Sequence, residues 1–134
     1  MMKDIQNRND ISRLVSSFYE EVRENEEIGP FFNRVITDWE AHMEKLTDFW
    51  ESNLFHKAVY KGNPRIAHIH MDADTDHTVE IKHFGEWMRL WIKTIDQMFQ
   101  GELAERAKNN ARKMSTHLYL GIYMNRKPGI AGNP

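Results

Sequence analysis

Of the residues able to do chemistry, His68 stands in the most suggestive company. It follows a turn, Gly62-Asn63-Pro64, whose proline lacks a backbone donor and pushes its neighbour out of the helical region. Apolar Ile66, Ala67 and Ile69 flank it. A neutral imidazole held this way can present one ring nitrogen to a metal while an acceptor fixes the other. The plainer alternative is a hydrogen-bonded histidine near a loop. His68, His70 and Asp72 also have the HxHxD spacing of metal-dependent hydrolases. Those sites use β-rich scaffolds, and no alternating strand pattern flanks this one. Asp72, Asp74 and Asp76 alternate as calcium-loop ligands do. Counting from Asp72, however, His77 replaces the required glycine and His83 the closing glutamate, against an EF-hand. The expectation for these aspartates is a solvated loop that supplies the cap of the next helix.

Three further polar groups fall on apolar faces. Tyr19 lies beside Phe18 at the edge of a stripe, with a hydroxyl that needs a partner once its ring is buried. His42 shares a helical face with Met43, Leu46, Phe49 and Trp50, because steps of three and four stay on one side. It must be hydrogen-bonded, turned toward a ligand, or at a rim. Trp87 shares a face with Phe84 and Met88, and its indole nitrogen is a donor only.

The elements that must position these groups read as helices. Ile11, Leu14, Val15, Phe18 and Val22 repeat at three and four, one stripe facing inward, with Asp10 or Ser12 as the expected cap. Gly29-Pro30 interrupts the pattern, and Phe31-Phe32 follow in what reads as a short connection; at least one of the two should be buried. Thr37 through Glu40 reads as a capping box with Thr37 as the cap. The period then runs through Trp39, His42, Leu46, Phe49 and Trp50 to about His56. A third long helix carries Phe84, Trp87, Met88, Trp91, Ile95 and Met98 and ends near Gly101. Leu103, Ala107, Ala111, Met114, Leu118 and Ile122 mark a fourth, with His117 on its polar face. Residues 1–124 are expected to form one domain and residues 125–134 a flexible tail.

Composition bounds the function. The 134 residues suit one domain with a real core. A formal net charge of −2 offers no basic stripe for nucleic acid. There is no cysteine, so disulfides, thiolate metal sites and cysteine nucleophiles are excluded, and a reducing cytoplasm is the expected home. No stretch approaches the roughly 20 apolar residues of a membrane span, and the first ten residues hold no apolar run, which predicts no secretory signal. Seven histidines, four tryptophans and eight methionines predict a soft, aromatic-lined interior with imidazoles at hand.

Taken in order, several pieces of the chain resemble the group III truncated haemoglobins. They are Phe18-Tyr19, Ile28 through Phe32, Trp39 through His42, Asp48-Phe49-Trp50, Tyr60 through Pro64, His68, His83 through Met88, and Phe99 through Glu102. The resemblance covers nearly the whole chain short of the tail. It implies an all-α truncated globin fold, a two-on-two helical sandwich around a haem b (iron protoporphyrin IX). It assigns His68 as the proximal iron ligand and puts Tyr19, His42 and Trp87 on the distal side. Phe32 would pack on the porphyrin, Leu46, Phe49 and Trp50 would wall the pocket, and Tyr60 and Arg65 would meet the propionates. The implied ligand is a diatomic gas such as oxygen, with nitric oxide, peroxide or oxidase-support chemistry and a reductase partner among the family's expectations. The protein would be a monomer or weak homo-oligomer with neither nucleic acid nor membrane as partner. A hydrolase using His68, His70 and Asp72, and a haem-free helical interaction domain, are the alternatives.

Overall fold

The computed structural model describes residues 2–64, 68, 72 and 78–131, with side chains described up to 124. Among them are five helices and no strand: α1 (Arg8–Glu24), α2 (Gly29–Val35), α3 (Trp39–Phe55), α4 (Ile81–Met98) and α5 (Glu102–Ala131). The α1 helix packs on α3 and α4 on α5, and the two pairs meet where α1 lies against α4 and α3 against α5. This is the expected all-α, two-on-two arrangement. No helix of the described residues is long and apolar enough to cross a membrane.

The α1 stripe is buried as the period requires, with Ile11, Leu14, Val15, Phe18, Tyr19 and Val22 all in the core. Its cap is Asn7, not Asp10 or Ser12: the Asn7 side chain accepts from the Asp10 N–H at 2.9 Å. At α3 the cap is Asp38 instead of Thr37, accepting from the Ala41 N–H at 3.1 Å. Both corrections move the cap to another residue able to take the same bond. The Phe31-Phe32 connection proves to be the short helix α2, with Pro30 in its first turn, where a missing N–H costs nothing. Both phenylalanines are half-buried.

Two joints fix the frame. His56 closes α3 in the left-handed region at φ 56°. Near the N-terminus, Asp4 accepts from the Leu103 and Ala104 N–H groups at 2.8 and 2.9 Å, capping α5 from almost a hundred residues away. The core between the pairs is aromatic. Phe18 meets Trp91 edge-on at 4.9 Å, and Trp50 stacks on Trp91 at 4.8 Å. Trp91 is 1% exposed and donates its indole N–H to the Ala107 carbonyl at 3.2 Å. Burying one such ring contributes about 1.5–3 kcal/mol.

Asp72 departs from the solvated-loop expectation. It is 2% exposed and accepts from the Val79 N–H at 3.3 Å. The cap of α4 is Glu80, whose backbone N–H donates to His83 Nδ1 at 2.8 Å. Asp74, Asp76 and His77 lie outside the described residues.

Candidate functional site

Each of the five helices turns part of its apolar face toward one cavity. Phe18 and Tyr19 come from α1, Phe31 and Phe32 from α2, and His42, Leu46, Phe49 and Trp50 from α3. Tyr60, Pro64 and His68 follow α3, and Phe84 and Trp87 come from α4. The space reaches out to an open mouth and is lined mostly by apolar and aromatic side chains, as cofactor pockets are. Nine residues singled out in the sequence therefore line one cavity: Tyr19, Phe32, His42, Leu46, Phe49, Trp50, Tyr60, His68 and Trp87. Arg65 and His70 lie outside the described residues.

Three histidines line the cavity, and their ring nitrogens are committed differently. His83 Nδ1 is taken by the α4 cap, and its ring lies 4.6 Å from Phe31. His68 Nδ1 stands 2.7 Å from the Pro64 carbonyl oxygen. A carbonyl can only accept, so Nδ1 carries the proton and Nε2 keeps its lone pair. Desolvation pushes the His68 pKa down, with the Pro64 bond opposing, which favours the neutral ring that a metal requires. His42 Nε2 is buried without a hydrogen-bond partner among the described residues. Desolvation first, then electrostatic coupling to Lys45 and to the His68 ring, holds the His42 pKa at about 4.

Tyr19 is 6% exposed, and burial raises its hydroxyl pKa far above the ordinary range, opposed by a hydrogen bond from Trp87. An indole N–H can only donate, so whatever it offers Tyr19 goes to the oxygen and leaves the phenolic proton uncommitted by it. Tyr60 packs edge-on against Phe49 at 5.1 Å, and its backbone N–H, like that of Val59, donates to Ser52 Oγ, at 2.8 and 3.1 Å. Gly62 leaves the room that the Tyr60 ring occupies.

The sequence reading missed several lining groups. Lys45, exposed at the cavity's edge, stands three residues from His42, and that spacing could have found it. Met114 and Leu118 were read as helix stripe without being joined to the site; Ser115 beside them carried no local signal. Among the described residues, no group of three or more His, Asp or Glu side chains could hold a metal ion.

No protein-family model matches the chain. Over 121 residues it is 26% identical to the Group 3 truncated hemoglobin ctb of Campylobacter jejuni, covering 87% of this chain and 91% of that protein. It also superposes on the crystal structure of a group III truncated hemoglobin from Campylobacter jejuni with a TM-score of 0.78, at 25% identity, covering 88% of this chain and 92% of that one. The resemblance read from the sequence is therefore matched in both sequence and fold.

Proposed function

We propose that the cavity holds a haem b and that the protein binds oxygen and other diatomic ligands there. The observation that carries the reading is His68: its Nδ1 is engaged by the Pro64 carbonyl at 2.7 Å, leaving Nε2 unprotonated inside an aromatic cavity. This is the arrangement by which a carbonyl fixes the tautomer of a metal-bound imidazole. The lining agrees with a flat apolar guest, since Phe32, Phe49, Trp50 and Leu46 border the same space. Lys45 and Tyr60 at that lining have a cation and a hydroxyl to offer the anionic edge of such a guest. When bound, the haem would supply an iron that takes a diatomic ligand and exchanges electrons with it.

The chain's own part is to hold and polarise that ligand. Tyr19 is buried at the lining near the Trp87 indole, which can only donate; the Tyr19 phenolic proton is the one to meet a ligand that has gained negative charge. His42 is neutral near pH 7, with a pKa of about 4, and offers either a proton or a lone pair by tautomer. The surrounding rings exclude bulk water. Such a polar pocket suits retention and redox conversion of oxygen, nitric oxide or peroxide with a reductase as electron source. Titrating the haem-free protein with haem should give a sharp Soret band that saturates at one equivalent. A broad band rising without saturation, as for haem adsorbed at random, would remove this reading.

A further inference from the structure

Arg23 is exposed in the last turn of α1, yet its guanidinium lies 4.4 Å over the ring of Trp39, the first residue of α3. Trp39 does not line the cavity. It backs two residues that do: it meets His42 edge-on at 5.8 Å and Tyr19 at 6.0 Å. Tyr19 closes the set, edge-on to His42 at 5.8 Å. His42 Nε2 makes no hydrogen bond among the described residues, so ring packing and not a bond at that nitrogen sets the angle of the imidazole. What holds Trp39 therefore also holds His42.

Arg23 itself stands on a stiff corner. Asn25 Oδ1 accepts from the Glu27 and Ile28 N–H groups at 2.9 and 3.0 Å, and the Gly29 N–H donates to the Asn25 carbonyl at 2.9 Å. Asn33 donates to the Arg23 carbonyl at 3.1 Å. The turn is so close that a Cβ on Gly29 would come within 2.8 Å of that same carbonyl oxygen. An arginine on a mobile end would merely cover a tryptophan; one on a fixed corner can pin it.

We infer that Arg23 and Trp39 are positioning residues for His42, a clamp that keeps the imidazole turned into the cavity and thereby limits the entry of small ligands. This rests on the haem reading above. The probe is carbon monoxide, applied to the haem-loaded full chain, with two readouts: association rate after flash photolysis and the C–O stretching band. Arg23→Leu should speed association about 3-fold and Trp39→Leu about 10-fold, the losses expected for one exposed cation–ring contact and one set of ring pairs. Both variants should also show a second stretching band, from a pocket whose imidazole has turned away. Arg23→Lys and Trp39→Phe, which keep a cation and a ring, should return most of the wild-type band pattern. A purely structural role would lower the melting temperature without adding a band. Wild-type rates and a single wild-type band in both leucine variants overturn the clamp and leave the haem reading standing. Persistence of the Arg23→Leu effect in a His42→Ala background also overturns it. Failure of the wild-type chain to take up haem is a separate outcome, and removes both.

Discussion

His68 and His42 line the same cavity, but one ring is fixed by a hydrogen bond and the other by the rings around it. The Pro64 carbonyl fixes both the tautomer and the direction of His68, so its remaining nitrogen is presented in one way only. Among the described residues His42 has no bond at Nε2 and is met edge-on by Tyr19 and Trp39, contacts that prefer an angle without tying the ring nitrogen to one partner. A bond-locked imidazole suits a permanent ligand. A ring-packed imidazole suits a group that must turn. The cavity thus divides into a side built for attachment and a side built for adjustment, although both use the same side chain.

The sharpest way to break this comparison is to delete each ring in turn. His68→Ala should weaken haem retention by more than about 100-fold, since removing even the partner of a metal-bound histidine typically costs 10- to 100-fold. His42→Ala should leave retention nearly unchanged. Soret absorbance after gel filtration of the loaded proteins measures both. Equal losses would mean that the two rings are not divided in role, and a large loss for His42→Ala alone would reverse the assignment.

On the adjusting side, Tyr19 and Trp87 are expected to act in series. Tyr19→Phe should speed oxygen release about 10- to 100-fold, the worth of a hydrogen bond to a charge-bearing partner. Trp87→Phe removes only the donor to Tyr19, and should speed release about 2- to 10-fold, as for a neutral bond. In the pair, the Trp87 change should add little to that of Tyr19, because its route runs through the missing oxygen. Carbon monoxide, which gathers less charge, should respond much less throughout. Stopped-flow dissociation of both gases decides. Fully additive effects would show that Trp87 meets the ligand directly, and equal effects on both gases would point to steric access.

Which parts were legible in the sequence follows a physical division. Stripes such as Ile11, Leu14, Val15, Phe18 and Val22 are written at a period of three and four, so the helices and their buried faces could be read directly. Caps were less legible, because Asn7 and Asp10, or Thr37 and Asp38, offer the same kind of acceptor within a few residues, and local preference separates them by little. The α2 helix was hidden by Gly29-Pro30, which break a helix in its interior but begin one at its first turn. Asp4 on the start of α5 and Asp72 beneath Val79 are bonds to distant or refolded backbone, with no local signature at all. The same holds for the site. Its α1, α3 and α4 members sit on patterned faces and were named together by family resemblance. Ser115 joins the cavity only once the helices are packed, whereas Lys45, three residues from His42, could have been read from that spacing. The Arg23–Trp39 contact likewise depends on how tightly the corner after α1 turns.

That corner supplies the smallest and most specific test of the comparison. Glu86 on α4 receives two bonds from Arg89, at 2.7 and 2.8 Å, and one from the Asn25 side chain at 2.7 Å, so it ties the adjusting side of the cavity to α4. The Arg89 bonds, the largest effect, hold its carboxyl pKa at about 2; burial opposes them, and the Asn25 bond adds a smaller push in the same direction as Arg89. Because the folded chain binds this proton more weakly than the unfolded one, the charge stabilises the fold above the unfolded pKa of about 4.3. That contribution fades as the pH falls toward 2. The group is partly open to solvent and screened, so Glu86→Gln should cost only about 0.5–1 kcal/mol near neutrality. The difference between variant and wild type should shrink steadily from pH 5 downward and vanish near pH 2. Urea unfolding of the two proteins at matched pH values measures it. A difference that stays constant across that range would mean that Glu86 acts by packing alone, and that charge does not hold the corner to α4.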